Sequence, residues 1–359
     1  MKHTYIGIDG GATKVAGAVV LKNENGTFEI ENEIVEINYH DCPSYSNEFS
    51  PVNIDIQLDE SNSGSFNFSI EEERQGIAYA EACEEVIISV LKDRPSKHIY
   101  IGLGMPGTKT DDKRGIKVMN NGPRIPRLLD VLERRLEMAD HEGISVNTLS
   151  EDNDLCGMGE LYSENGEFRG TQNALYIGGG TGIADVMLIN GEHVPFLSIK
   201  DWMPRTWQML DYNGLSFELL TSHLGIMNQY SSISGKPIHE LKQEKIFPQV
   251  ILDKNREIRD RFITGLSELI IKRIHLFYEN KGLVFDKIIC ALRLGSLLDE
   301  NADLFQSVNE LITQKVEDSE ILNNNSKERY LENKFLRISH LKHAPIIGGG
   351  VQAYFDSNT

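Results

Sequence analysis

Apolar positions alternate or run together in short stretches early in the chain and recur at three- and four-residue spacing later, which predicts strands first and mostly helices afterwards. Residues 5–20 read as two apolar strands joined by a tight turn at Gly10 and Gly11, and residues 27–37 alternate as a third. Three antiparallel strands followed by a helix are expected. Between His40 and Asn67 the pattern gives way to Ser, Asn, Asp and Pro, with one short alternating piece at 52–56, so the segment reads as an excursion or insertion. Residues 70–91 are helical, with Ile77, Ala80, Val86, Ile87, Val90 and Leu91 on or near one face. Pro95 is expected to stop that helix before a strand at 99–103.

A short amphipathic helix at 128–136 precedes a strand at 144–149 that ends in Glu151-Asp152-Asn153-Asp154, with helix signals resuming at 155–162. Residues 174–177 then lead into Gly178-Gly179-Gly180-Thr181-Gly182 and out along 183–189, where Asn190-Gly191 closes a hairpin. This is a second strand, glycine turn, strand unit. Helices are expected at 217–224, 258–278 and 304–316, interrupted by a strand at 287–292, and an apolar, Gly-rich segment ends the chain at 344–355. The expected division is a small α/β lobe at 1–120, carrying the 40–67 insertion and joined by the C-terminal helix 344–359, and a larger α/β lobe at 121–343.

With 359 residues, 40% of them hydrophobic, the chain can build two lobes with separate cores. Its 36 basic against 54 acidic residues, net -18, argue against nucleic acid as a ligand. No apolar run is long enough to cross a bilayer, and the first residues enter a strand without a signal-peptide core, so a cytoplasmic protein is expected. Cys42, Cys83, Cys156 and Cys290 lie far apart without a Cys-x-x-Cys pair, which signals neither a disulfide framework nor a zinc site.

The first turn suggests chemistry. Gly10 and Gly11 let backbone N–H groups approach an anion, Ala12 keeps the turn small, and Thr13 and Lys14 add a hydroxyl and a cation. Asp9, at the strand end, suits a metal or its water shell beside those phosphates. Asp-Gly is also the ordinary signal of a tight hairpin, but a plain hairpin gives no reason for Thr-Lys to come at once after it. The second turn, Gly180-Thr181-Gly182, repeats the arrangement, and two such turns suit a nucleotide whose phosphates lie in a cleft between lobes.

Together with Glu151-Asp152 at a strand end between them, these motifs resemble the sugar kinase and actin ATPase superfamily, and within it the ROK family of bacterial glucokinases and related hexose kinases. The family's Asp-x-Gly-Gly-Thr-Lys is matched by Asp9-Gly10-Gly11-Ala12-Thr13-Lys14, and its Gly-x-Pro-Gly by Gly104-Met105-Pro106-Gly107, with an Asn-bearing loop after it at Asn120-Asn121. Its Glu-Asn-Asp-Ala-Asn and later Gly-Glu are matched by residues 150–154 and Gly159-Glu160, and its Gly-Thr-Gly-Ile-Gly by Gly180-Thr181-Gly182-Ile183-Ala184. The resemblance implies an α/β, two-lobed ribonuclease H-like (actin-like ATPase) fold with the ligand cleft between lobes. It implies ATP-dependent phosphorylation of a hexose or N-acetylhexosamine with Mg2+, Asp152 as general base, and Gly107, Asn121, Glu151 and Glu218 on the sugar. Family members are often dimers, so a homodimer is one assembly it implies.

Local readings stand beside these roles: Asp152 or Asp154 as a helix cap, Lys14 as a solvated strand residue, Glu218 as an exposed helix residue. The sequence also departs from the family. The Cys-rich structural zinc segment is absent. Glu151 replaces an Asn, which is expected to raise the pKa of Asp152 by like-charge repulsion and to alter the hydroxyl pattern recognised. The adenosine-side Gly-Gly appears as Ala291-Leu292, leaving Gly295 as the candidate for close approach, while Gly348-Gly349-Gly350 reads as helix packing. Hence the alternative of a catalytically impaired sugar sensor or regulatory protein. A DNA-binding repressor would carry an N-terminal helix-turn-helix, and a BadF-type activator would need clustered cysteines.

Overall fold

The computed structural model describes residues 3–31, 33–92, 94, 98–139, 143–332 and 334–358. In chain order the first part holds β1 (His3–Gly10), β2 (Lys14–Lys22), β3 (Phe28–Ile30), β4 (Val35–Asn38), α1 (Ile54–Ser63), α2 (Ile70–Leu91), β5 (His98–Met105), β6 (Thr108–Lys109), β7 (Ile116–Val118), α3 (Leu128–Met138), β8 (Ile144–Ser145), β9 (Leu149–Glu151) and α4 (Asp152–Tyr162). The second holds β10 (Ala174–Gly179), β11 (Ile183–Ile189), β12 (Glu192–Val194), α5 (Phe217–Thr221), α6 (His223–Ser234), α7 (Ile238–Gln243), α8 (Pro248–Lys254), α9 (Arg256–Lys281), β13 (Lys287–Ala291), α10 (Leu292–Asp299), α11 (Ala302–Glu317), α12 (Asn324–Glu332) and β14 (Leu336–Ile338). The last helix is α13 (Ala344–Asp356).

Two compact units result: Met1–Arg169 with His343–Thr359, and Gly170–Lys342. The division thus falls after Arg169, not near residue 120. The reason is strand pairing, since β8 and β9 both run parallel to β5, and α4 packs on α13.

In the first unit β2 pairs antiparallel with β1, β3 and β4, while β1 pairs parallel with β5. The expected third strand is therefore two short strands laid end to end along β2. On one face α2 buries Ala80, Cys83, Val86, Ile87 and Val90 in a core shared with Ile6, Ile8, Ile101 and Leu103. Ile77 is not part of that face and is exposed. Elsewhere in the unit α13 packs at backbone range on β1, β5 and α4. A methyl group on Gly348 would overlap the carbonyl oxygen of Leu155, one on Gly102 that of Gly349, and one on Gly7 that of Ile346. The Gly-rich helix is thus held by shape, and its glycines are occupied inside this unit.

The 40–67 segment is not structureless. Asn53 accepts a hydrogen bond from the N–H of Asp55 and starts α1, and Gly64, at φ 70°, ends it. The alternating piece 52–56 therefore runs into a helix that begins at Ile54. The 144–149 strand is likewise split into β8 and β9, and Pro95 lies outside the described residues.

The second unit repeats the order. Its sheet runs β12-β11-β10-β13-β14, with β10–β11 an antiparallel hairpin and β10–β13 parallel, as β1–β2 and β1–β5 are. The core gathers Phe262, Leu266, Ile270 and Phe277 of α9 against Ile288 and Cys290 of β13. Fully buried Arg273 of α9 reaches Asp185 of β11 at 2.5 Å and donates to Thr206, tying helix to sheet. The expected 217–224 helix is two, because Ser222 ends α5 and caps α6 by accepting from the N–H of Gly225. No helix among the described residues is long and apolar enough to cross a membrane.

Candidate active site

The first glycine turn closes the β1–β2 hairpin, with Asp9 opposite Ala16, Gly10 opposite Val15, and the Gly11 N–H donating to the Lys14 carbonyl at 2.8 Å. Two buried tyrosines fix its outer peptides. Tyr39 donates its hydroxyl to the Gly11 carbonyl (3.0 Å) and Tyr79 donates to the Ala12 carbonyl (3.1 Å), their rings stacked 3.6 Å apart. In a trans peptide the N–H points opposite the C=O, so anchoring these carbonyls turns the N–H groups of Ala12 and Thr13 the other way, as an anion cradle requires. Burial pushes both phenol pKa values up, which keeps them neutral donors. Lys14 lies on the exposed side, 2.5 Å from Glu36 of β4.

Three parallel strand ends place the carboxylates. Asp9 of β1 pairs in register with Gly104 of β5, and Gly104 and Met105 pair with Ser150 and Glu151 of β9, after which Asp152 opens α4. A methyl on Gly104 would stand 2.7 Å from Leu155 and 3.6 Å from the Asp152 Cα, so glycine lets α4 close onto β5. Burial, and then the charge of Asp152, raise the Asp9 pKa to about 7, against the lowering pull of Lys14. Asp152 does not cap its helix. Glu151 occupies the cap position without a side-chain bond, and Asp152 accepts only its neighbour's N–H, that of Asn153 at 3.0 Å, among the hydrogen bonds described. At a helix N-terminus its negative charge is favoured by the aligned peptide dipoles.

Beside Glu151 stands a buried cation that the sequence pattern did not flag. Lys109 donates to the carbonyls of Met105 and Gly107, both at 2.7 Å, and its ammonium is 3.7 Å from the Glu151 carboxylate. The repulsion expected from Glu151 is therefore met by a countercharge. The available signal was Lys109 itself, two residues after Pro106-Gly107 in a two-residue strand whose other position is Thr108. Gly107 has φ 92°, and a Cβ there would also lie 2.5 Å from the Val118 carbonyl, so only glycine makes this turn. Asn120 and Asn121 form a tip, Asn121 exposed, whose flanks Met119 and Gly122 are buried.

In the second unit the turn is shorter and tighter. The Gly180 N–H donates to the Gly182 carbonyl at 2.8 Å, and the Gly180 carbonyl accepts from the His223 N–H at 3.1 Å. Glu218, in the first turn of α5, accepts the N–H of Ile183 at 3.0 Å, and a methyl on Gly182 would lie 2.8 Å from its carboxylate. Glu218 is thus not an exposed helix residue; it braces the second glycine turn, and burial raises its pKa. Burial, and then Arg293, lower the His223 pKa to about 4. Gly295 lies in α10 with its missing Cβ facing the Cys290 carbonyl, where it serves helix-on-strand packing. Leu292, at the position of the family's Gly-Gly, adopts φ 56°, a backbone geometry that suits glycine.

Of the expected residues, the first unit brings together Asp9, Gly10, Gly11, Ala12, Thr13, Lys14, Gly107, Glu151 and Asp152, and the second unit brings together Gly180, Thr181, Gly182 and Glu218. Among the described residues no group of three His, Cys, Asp or Glu side chains could hold a metal ion alone. A Mg2+ with Asp9 would therefore take most of its ligands from water and phosphate, which is its usual habit, and a carboxyl of raised pKa facing a second carboxylate suits a cation.

No protein-family model matches the sequence, and no curated protein sequence matches it. Solved structures do match over the whole chain. A ROK hexokinase from Thermus thermophilus superposes with a TM-score of 0.56 at 16% identity, covering 99% of both chains. A ROK-family glucokinase from Streptomyces griseus, in complex with glucose and AMPPNP, gives 0.52 at 15% identity, covering 98% of this chain and 99% of that one. A ROK-family transcriptional regulator, a homologue of the E. coli MLC protein, gives 0.53 at 13% identity, covering 99% of this chain and 79% of that one. The chain has the actin-like α/β fold of the ROK sugar kinases.

Proposed function

We propose that this protein phosphorylates a sugar hydroxyl, of a hexose or an N-acetylhexosamine, using ATP and Mg2+. The observation that carries this reading is the convergence of Asp9, Asp152 and the tyrosine-anchored turn 10–14 at the carboxyl ends of β1, β5 and β9. Asp152 takes the proton of the attacking hydroxyl, whose oxygen forms the new bond to phosphorus as the bond to the leaving diphosphate breaks. The N–H groups of Ala12 and Thr13 and the turn 180–182 are the phosphate-binding segments. Mg2+, when bound, supplies charge that offsets the developing negative charge of the transferred group. Asp9 would be its carboxylate contact. Gly107, Asn121 and Glu151 form the acceptor side, where Glu151, held by Lys109, accepts a hydrogen bond from a sugar hydroxyl.

Coupled ATP turnover with Mg2+ against hexoses, N-acetylhexosamines and keto sugars, run beside Asp152→Asn, tests this. Turnover with one sugar, lost by about 10²- to 10⁴-fold in the variant with sugar binding retained, is the expected result. Equal rates in both proteins would refute the assignment of the base. A second reading, a sugar-binding regulatory protein with impaired catalysis, is favoured by Leu292 standing in a glycine geometry on the expected adenosine side. Sugar binding without turnover in the unmodified protein would select it.

A further inference from the structure

α1 is an unusual helix, because the one side chain it buries is a glutamine. Ile56 and Leu58 point outward, 51% and 43% exposed, and Ile54 is only half-buried, so apolar burial holds it weakly. Hydrogen bonds hold it in place. The Gln57 amide donates to the carbonyls of Val52 (2.7 Å) and Met119 (3.0 Å), and its oxygen accepts the Met119 N–H at 2.7 Å. It thereby saturates both backbone groups of one residue at the end of β7, as a neighbouring strand would. Five residues on, buried Arg124 donates to Glu72 at 2.7 and 2.8 Å and to the Asn67 carbonyl at 3.0 Å, pairs with Glu60 of α1, and lies over the Phe68 ring. The loop 119–124 is therefore pinned at both ends by residues 57–72, while Asn121 at its tip stays exposed. Its inner side rests on Tyr79, because a methyl on Gly122 would lie 2.9 Å from the Tyr79 hydroxyl that anchors Ala12.

We propose that the 40–67 segment is a positioning device for the sugar-acceptor loop, with Gln57 as its working residue, and that it sets which sugars the protein accepts. The proposal rests on the kinase reading above. Gln57 touches no reacting atom; it acts through the backbone of Met119. Rigid presentation of Asn120 and Asn121 makes acceptor binding, rather than the chemical step, the quantity it controls.

The test compares the unmodified protein with Gln57→Met, which keeps the volume and removes all three bonds, and Gln57→Glu, which keeps the acceptor for the Met119 N–H. Gln57→Met should raise the acceptor KM about tenfold, with the ATP KM and kcat within about twofold, and Gln57→Glu should fall between. The preference between the best and second-best sugar should shrink, and the amides of residues 119–121 should exchange faster. An unchanged acceptor KM and preference, with only a lowered Tm, would overturn the proposal. If the unmodified protein turns over no sugar, the kinase reading fails by itself. The clamp is then decided by sugar dissociation constants from calorimetry: weaker binding in Gln57→Met supports it, and equal binding, or no binding of any panel sugar to the unmodified protein, sinks it.

Discussion

The two glycine turns sit on the same strand pattern and differ in what surrounds them. Each closes an antiparallel hairpin whose first strand pairs parallel with a later one, yet the register aligns Asp9 of the first with Gly178 of the second. The first turn is flanked by carboxylates and held from outside by two tyrosines. The second has no acid at that position and is braced by Glu218, with His223 nearby in the chain, both of them shifted by burial toward the neutral form. A repeated backbone device thus carries two electrostatic environments, and the proton-accepting chemistry proposed here belongs to the first.

The largest expected contrast is in pH. The folded-state pKa of Asp9 lies above its unfolded value, so its contribution to stability is present below about pH 4 and is lost as pH rises through about 7, by at most about 4 kcal/mol. His223 has the opposite sign. Its folded pKa lies below the unfolded value, so stability present above about 6.5 is lost as pH falls through about 4, by at most about 2 kcal/mol because water reaches part of the ring. In urea unfolding, Asp9→Asn should stabilise the free protein at pH 8 and not at pH 4, and His223→Gln should flatten only the acid side. Parallel pH profiles for both variants would show that the two environments are alike.

Alanine at the two turns sharpens the comparison further. In Gly10→Ala the new methyl overlaps the Met105 sulfur and stands 2.9 Å from the Gly104 carbonyl, a destabilisation of about 1–3 kcal/mol. At Gly180 a methyl meets nothing within 4 Å, so Gly180→Ala should leave Tm unchanged while weakening ATP binding, as calorimetry would show. ATP affinity untouched in Gly180→Ala would refute the proposed phosphate role of the second turn. After the parallel strands the units diverge again: β5 is succeeded by Gly107 at φ 92°, whereas β13 is succeeded by Leu292 at φ 56°. Leu292→Gly relieves that geometry and should gain about 1 kcal/mol in chemical denaturation. The smallest effect is expected at Lys14, exposed and paired with Glu36, where Lys14→Met should cost less than about 1 kcal/mol of stability, so any large loss of activity would support the phosphate role proposed for its charge.

The hairpin turns, Asp152 at a strand end, the α2 helix and the packing role of residues 348–350 are legible in the sequence because each is a contiguous pattern: a few residues fix a turn, and periodicity fixes a face. The alternation at 52–56 marks no sheet face, because Val52 and Ile54 are half-buried while Ile56 is exposed, and the segment enters a helix at Ile54. That Glu218 braces the second glycine turn is not legible, because its partner there, the Ile183 N–H, is 35 positions away.

The sequence by itself determined the repeated strand-turn-strand units, their glycine turns and the place of Asp152 after a strand end, since local backbone preferences and side-chain spacing are written residue by residue. Tertiary structure alone decided that Lys109 faces Glu151, that Tyr39 and Tyr79 orient the first turn, that Arg273 and Asp185 pair in the second core, and that Gln57 holds Met119. Each of these is a buried polar group whose partner is distant in the chain, and a polar group taken out of water is satisfied by whatever the fold brings within about 3 Å, which spacing along the chain does not encode.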